Sequence, residues 1–110
     1  MTGETHKLVW FVPEEALERT REAVFGAGGG RIGDYERCSW STRGEGTFLG
    51  GEGTAPAVGK AGREERVAEL RVETVVPAER ARAVVDALLA AHPYEEVAFD
   101  LYPLVSSDRE

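Results

Sequence analysis

The segment His92-Pro-Tyr-Glu-Glu96 gathers an imidazole, a phenol and two carboxylates within five residues. Imidazole and carboxylate together can hold a divalent cation such as zinc or copper, and the single thiol, Cys38, would add a softer ligand. On that reading the metal ligands are His92, Glu95 and Cys38. Pro93 weakens the grouping, because it breaks the helix between His92 and Glu95 and leaves no helical face for them to share. The same residues also have a structural reading. A histidine in the last turn of a helix satisfies free carbonyls, and Tyr94 can anchor the turn that follows.

Cys38 as a nucleophile would need an activating histidine. The two histidines are His92 and His6, the latter on a terminus expected to fray. The alternative is a small apolar residue packed beside Trp40. Gly28-x-Gly30-x-x-Gly33 has the letters of a dinucleotide fingerprint, but the mechanism needs a strand before the glycines and a helix after. Here the order is reversed, so the glycines read as a helix stop and flexible turn, with a looser anion nest around Arg31 as the remaining option. Glu64-Glu65 and Glu95-Glu96 are adjacent and would point apart on a strand. No catalytic residues emerge from this set.

The elements that must position these groups follow from hydrophobic periodicity. Lys7–Val12 is a continuous apolar run, expected to be a central strand. Pro13 opens a helix with apolar positions at Ala16, Leu17, Thr20, Ala23, Val24 and Ala27, ending near Gly26–Gly30. Residues 35–42 alternate, with Cys38 and Trp40 on one face, and predict an edge strand. A glycine-rich loop is expected over 43–62, with a short strand at 47–49 and a turn at Gly53-Thr-Ala-Pro56; twelve of the 13 glycines lie between 26 and 62. Residues 69–76 alternate as a half-buried strand. Pro77 opens a second helix, with a stripe from Ala81 to Leu89, that ends before Pro93. Val97, Phe99 and Leu101 mark the last strand. Val12-Pro13-x-Glu15 recurs as Val76-Pro77-x-Glu79, so strand-helix-strand is written twice. The expected architecture is α+β, a ferredoxin-like split βαβ with two helices on one face of an antiparallel sheet and a Gly-rich insertion in the middle.

With 110 residues and 13 Lys+Arg against 20 Asp+Glu, the chain is one acidic domain of net charge −7. The expected boundaries are a flexible N-terminus at 1–6, the domain at 7–104 and a solvated tail at 105–110. The acidic balance argues against nucleic acid and anionic membrane as partners. One cysteine excludes an intrachain disulfide and fits a reducing compartment, and the absence of a signal-like apolar run points to a cytoplasmic protein.

Ile32-Gly-Asp-Tyr-Glu-Arg-Cys-Ser-Trp-Ser-Thr42, Gly44-Glu-Gly-Thr-Phe48, Gly53-Thr-Ala-Pro56, Arg71-Val-Glu-Thr-Val-Val-Pro77 and His92-Pro-Tyr-Glu-Glu-Val-Ala-Phe-Asp-Leu-Tyr-Pro103 together resemble the domain inserted in bacterial Nif-three-like proteins, often labelled GTP cyclohydrolase I type 2 homologues. The resemblance covers residues 7–104. His-Pro-Tyr-Glu also resembles CutA, the divalent-cation-tolerance protein, whose fold is ferredoxin-like and trimeric. Members of the Nif-three-like family carry a dinuclear metal site in the domains that flank the insert, so the resemblance transfers no catalytic residue to this chain. It implies a small homo-oligomeric binding or regulatory module of the CutA and PII kind, a trimer first and a dimer second, without catalytic activity of its own. A divalent-metal binder is the alternative, and a hydrolase acting on a nucleotide or small cyclic substrate a second one.

Overall fold

The computed structural model describes residues 4–53 and 60–105. Its elements are β1 (Thr5–Val12), α1 (Leu17–Gly26), β2 (Ser39–Leu49), β3 (Glu64–Pro77), α2 (Ala81–Ala91) and β4 (Phe99–Pro103). The sheet runs β2-β3-β1-β4 with every pair antiparallel, and β1 is central, as its apolar run predicts. This is the ferredoxin-like plan. No helix among the described residues is long and apolar enough to cross a membrane.

Leu8, Trp10 and Val12 of β1 face the helices with Leu70, Val72 and Val76 of β3, and meet Ala16 and Val24 on one side and Val84 and Leu88 on the other. Phe99 and Leu101 pair with Trp10 and Leu8 and extend that layer at the sheet margin. Val9 points to the opposite face yet is only 1% exposed. A charged layer lies across that face: Glu73 receives Lys7 at 3.7 Å and Arg71 at 2.9 Å, and the Arg71 guanidinium sits 5.8 Å from the Phe11 ring centroid. That cover explains why β1 reads apolar on both sides.

Pro13 and Pro77 play equivalent roles. Each is extended, with ψ of 153° and 139°, and each leads into a single 3-10 turn (Glu14–Ala16 and Ala78–Arg80) before the α-helix proper. The helices therefore begin a turn later than the prolines alone predict. At the far end of α1, the amides of Ala27, Gly28 and Gly29 bond the carbonyls of Ala23, Phe25 and Val24, so the glycines stop the helix as expected.

The largest departure concerns β2. It starts at Ser39 rather than 35 and continues to Leu49, through residues 43–46 that were expected in a loop; β3 likewise starts at Glu64. The ladder explains this. Gly44 through Leu49 pair with Glu69 through Glu64, forming a two-stranded ribbon that runs on after β1 ends opposite Leu70. Both faces of the ribbon are largely open, so no hydrophobic alternation marks it. Backbone hydrogen bonds carry it, and the Gly62 amide closes it on the Gly50 carbonyl at 2.7 Å. The ribbon stretches the described structure to 54 × 22 × 22 Å. The turn expected at Gly53–Pro56 and the tail over 106–110 fall largely outside the described residues. At the start of the chain, β1 opens at Thr5, so Thr5 and His6 belong to the sheet; residues 1–3 lie outside the described part.

Trp10 and Thr20 are fully buried. The indole N–H donates to Thr20 Oγ1 at 3.0 Å, and that hydroxyl bonds back to the Ala16 and Leu17 carbonyls. Replacing the hydroxyl with a methyl group keeps the volume but leaves a buried N–H unpaired. Thr20→Val should therefore lower stability by about 1–3 kcal/mol in urea denaturation, and an unchanged midpoint would show that the bond contributes nothing.

Candidate functional site

Two regions hold the polar chemistry of the chain. The first is the junction between α2 and β4. His92 ends the helix: its amide still bonds the Leu88 carbonyl at 3.0 Å, but its ψ of 139° already turns the chain away before Pro93. The side chain points inward and is 7% exposed. Nδ1 accepts the Tyr94 amide at 3.1 Å, which leaves the proton on Nε2, and Nε2–H donates to the Phe11 carbonyl at 2.7 Å. The imidazole thus ties the end of α2 to the end of β1 as a neutral ring. Burial pushes its pKa below the ordinary value; the Phe11 carbonyl opposes that shift and the positive charge of Arg19 adds to it. The carbonyl that His92 satisfies belongs to β1 and not, as expected, to its own helix.

Tyr94 stacks edge-on against His92, with ring centroids 4.9 Å apart. Its hydroxyl is buried without a hydrogen-bond partner among the described residues. Burial raises the phenol pKa, and the charges of Glu69 and Glu15 raise it further. Glu69 is itself raised by burial. Its carboxylate lies over Gly46 on β2, where any β-carbon would collide with it. A glycine on a strand, diagonally across from a glutamate, is the only sign of this arrangement in the sequence.

The three candidate metal ligands are not brought together. Cys38 sits at the start of β2, half-buried, with its thiol 3.8 Å from the Glu36 carbonyl oxygen. Its own carbonyl accepts the Thr74 hydroxyl at 2.6 Å, and Thr74 pairs with Leu8. His92 bonds Phe11, three residues further along β1, or about 10 Å of strand. Glu95 is exposed in the turn beyond Pro93. Among the described residues, no three His, Cys, Asp or Glu side chains are grouped to hold a metal ion. Both His92 nitrogens are engaged, so coordination there would first have to break the bond to Phe11 or to Tyr94. Trp40 corrects a second expectation: it is 61% exposed and does not pack Cys38 into a core.

The second region follows the glycine-rich stop of α1. A cavity of about 180 Å³ opens beside Phe25, between Glu22 and Arg37 on one side and Arg31 and Glu36 on the other. Arg37 bonds both carboxylate oxygens of Glu22 and stacks 5.0 Å from the Phe25 ring centroid, while Arg21 stacks at 5.2 Å. Arg31 approaches Glu36 at 3.9 Å. Each arginine beside the cavity thus has a carboxylate partner, which answers the positive charge an anion nest would offer.

No family model matches the chain. It is 56% identical over 99 residues to the GTP cyclohydrolase 1 type 2 homolog of Mycobacterium tuberculosis, a match that takes in 90% of this chain and 26% of that protein. To the protein of the same name from Bacillus subtilis it is 42% identical over 109 residues, 99% of this chain and 29% of the relative. Among solved structures, a Bacillus cereus protein related to NIF3 superposes with a TM-score of 0.83 at 45% identity, over 96% of this chain and 27% of that one. CutA from Archaeoglobus fulgidus superposes at 0.65 and 15% identity, covering 96% of this chain and 86% of its own, and GlnK of Bacillus subtilis in complex with ATP at 0.63 and 12%, over 94% and 84%. The last two comparisons show the fold.

The His92 bridge predicts a pH dependence. A pKa lowered in the folded state means that the unfolded chain takes the proton more readily, so the contribution is complete above the ordinary value of 6.5 and is lost as pH falls below it. The carboxylates Glu14, Glu22 and Glu65, each paired with an arginine, are lowered from 4.5 and titrate in more acid solution, while Glu69 acts with the opposite sign. Thermal midpoints measured from pH 7.5 to 5 should fall for the natural chain and fall less for His92→Gln; parallel curves would remove His92 as the cause. His92→Ala should cost about 2–3 kcal/mol at pH 7.5 through its two lost partners.

The chain spans about a quarter of the length of the curated relatives it matches, and over nearly all of its own length it is similar to one segment of the GTP cyclohydrolase 1 type 2 homologs and the NIF3-related protein, with the fold of CutA and GlnK.

Proposed function

We propose that the chain is a homo-oligomeric binding or regulatory module, working in the cytoplasm and without catalytic activity of its own. The observation that carries this reading is the ribbon formed by β2 and β3 beyond Leu70. A two-stranded ribbon is marginal in water when it stands alone. The outer edge of β2, eleven residues long, is unpaired among the described residues and carries neither proline nor lysine to block pairing. Such an edge is hazardous unless something covers it. A neighbouring copy would meet both needs, bracing the ribbon and pairing its edge. The likeness to CutA makes three subunits the first expectation and two the second.

The non-catalytic reading draws support from the spacing of the one thiol and the one buried imidazole. Cys38 is held by Thr74, opposite Leu8, whereas His92 is held at Phe11, and the imidazole is spent on that backbone bridge. The metal-binding alternative, through His92, Glu95 and Cys38, would require that bridge to open.

Native mass spectrometry of the untagged chain, with and without zinc or copper, tests both readings at once. A defined oligomer of three or two subunits with no added metal is expected. A monomer at micromolar concentration would overturn the oligomer, and whole-number metal uptake abolished by His92→Ala would replace this reading with the metal one. Val67 is half-buried on the ribbon, on the sheet face that the helices leave open. Val67→Lys should weaken assembly at least tenfold, about 1.4 kcal/mol, while the monomer's circular dichroism is unchanged.

A further inference from the structure

The turn that links α1 to β2 is built to hold apolar side chains in solvent. Ile32 and Tyr35 exchange two backbone hydrogen bonds, of 3.0 and 2.9 Å, around Gly33-Asp34, with Gly33 at φ +58°. Both ends of the turn are fixed to the body. The Gly30 amide donates to the Val75 carbonyl at 2.8 Å, and the Cys38 amide to the Gly30 carbonyl at 2.8 Å. Arg37 stands at φ +59°, a left-handed conformation that a non-glycine residue adopts only under constraint, and is held there by its fork on Glu22 and its stack on Phe25. Despite this bracing, the side chains at the tip have no cover: Ile32 is 55% and Tyr35 76% exposed. A mobile loop would be free to fold such groups inward. A rigid one that points an aliphatic and an aromatic side chain outward has already met the ordering cost of an interface.

The position of the turn indicates its partner. The Leu104 amide donates to the Thr5 carbonyl at 2.9 Å, so the start of β1 and the end of β4 lie side by side. The turn hangs from Val75, which pairs with Lys7 at this same end of the sheet. Leu104 and Val105 are exposed there as well. In the relatives, this fold accounts for 26–29% of the chain. In them, whatever precedes β1 or follows β4 has to leave from this end of the sheet, the end from which the Ile32–Tyr35 turn hangs. The ribbon, on which the self-association reading rests, extends from the opposite end of the sheet.

We propose that Ile32 and Tyr35 form a docking surface for a protein body of the kind that makes up the rest of the relatives' chains. The surface acts as a fixed bearing that sets the orientation of this domain relative to that body.

Amide hydrogen exchange tests the proposal. The probe is a hybrid in which this chain replaces the matched segment of the Bacillus cereus NIF3-related protein, compared with the full chain alone. Exchange over residues 31–37 should be at least tenfold slower in the hybrid. The double substitution I32S/Y35S, and Y35S alone as the milder variant, should return it to the rate of the isolated chain. Both side chains are exposed, so the thermal midpoint of the isolated chain should not move. Equal exchange in chain and hybrid, or protection that survives I32S/Y35S, overturns the proposal. A change in the oligomeric mass of the isolated chain on I32S/Y35S also overturns it, by assigning the surface to copies of this chain. Loss of assembly in Val67→Lys with protection at 31–37 retained would leave the docking surface standing, so the two readings fail separately.

Discussion

Trp10 occupies the middle of β1 at zero exposure and brings a polar N–H into a core of aliphatic side chains. That group has to be paired, because an orphaned donor in such surroundings removes a large part of a small domain's stability. Thr20 supplies the pairing oxygen, and this fixes how far along β1 the helix α1 can sit and which face it turns inward. With α1 placed, Val24 meets the core, α2 packs beside it, and the long apolar run of β1 is forced into the centre of the sheet. On the other face the ion pairs around Glu73 complete the cover of Val9.

Those parts of the fold were legible because burial imposes a period on the sequence. α1, α2 and the inner half of β3 alternate or repeat where one face meets the core, β1 is apolar from Leu8 to Val12 because both its faces are covered, and the doubled Val-Pro-x-Glu marks both strand-to-helix junctions. β2 was only half legible. Ser39 to Leu49 are almost all exposed, so their side chains record nothing about the pairing that their backbone makes. The glycines there suggested a loop, although Gly46 lies inside the strand with the Glu69 carboxylate over it.

The candidate site divides along the same line. His92 stood out in the sequence as a polar residue at a helix end before a proline, but its acceptor, the Phe11 carbonyl, lies 81 residues away and no local pattern could name it. Trp40 suggested core, since tryptophan usually is, yet it lies on an edge strand with little above it. The bracing of the 31–37 turn was invisible for a similar reason. Its anchors are Val75 and Glu22, reached only through the fold, and the fingerprint-like glycines around it are helix-stop and turn positions.

The two ends of the sheet consequently differ in kind. At one end, β2 and β3 outrun their neighbours and present open backbone, which other strands can satisfy without regard to side-chain identity. At the other, the start of β1 and the end of β4 lie at the same end of the sheet as a turn that backbone hydrogen bonds brace and whose Ile32 and Tyr35 side chains stand exposed. Backbone edges favour association between identical copies, because symmetry supplies a matching edge at no added specificity. Exposed aromatic and aliphatic side chains on a rigid turn favour a shaped, unlike surface, since their fit depends on a pocket. Between these two ends the His92 bridge ties the end of α2 to the end of β1, which holds the sheet and helix layers in one geometry.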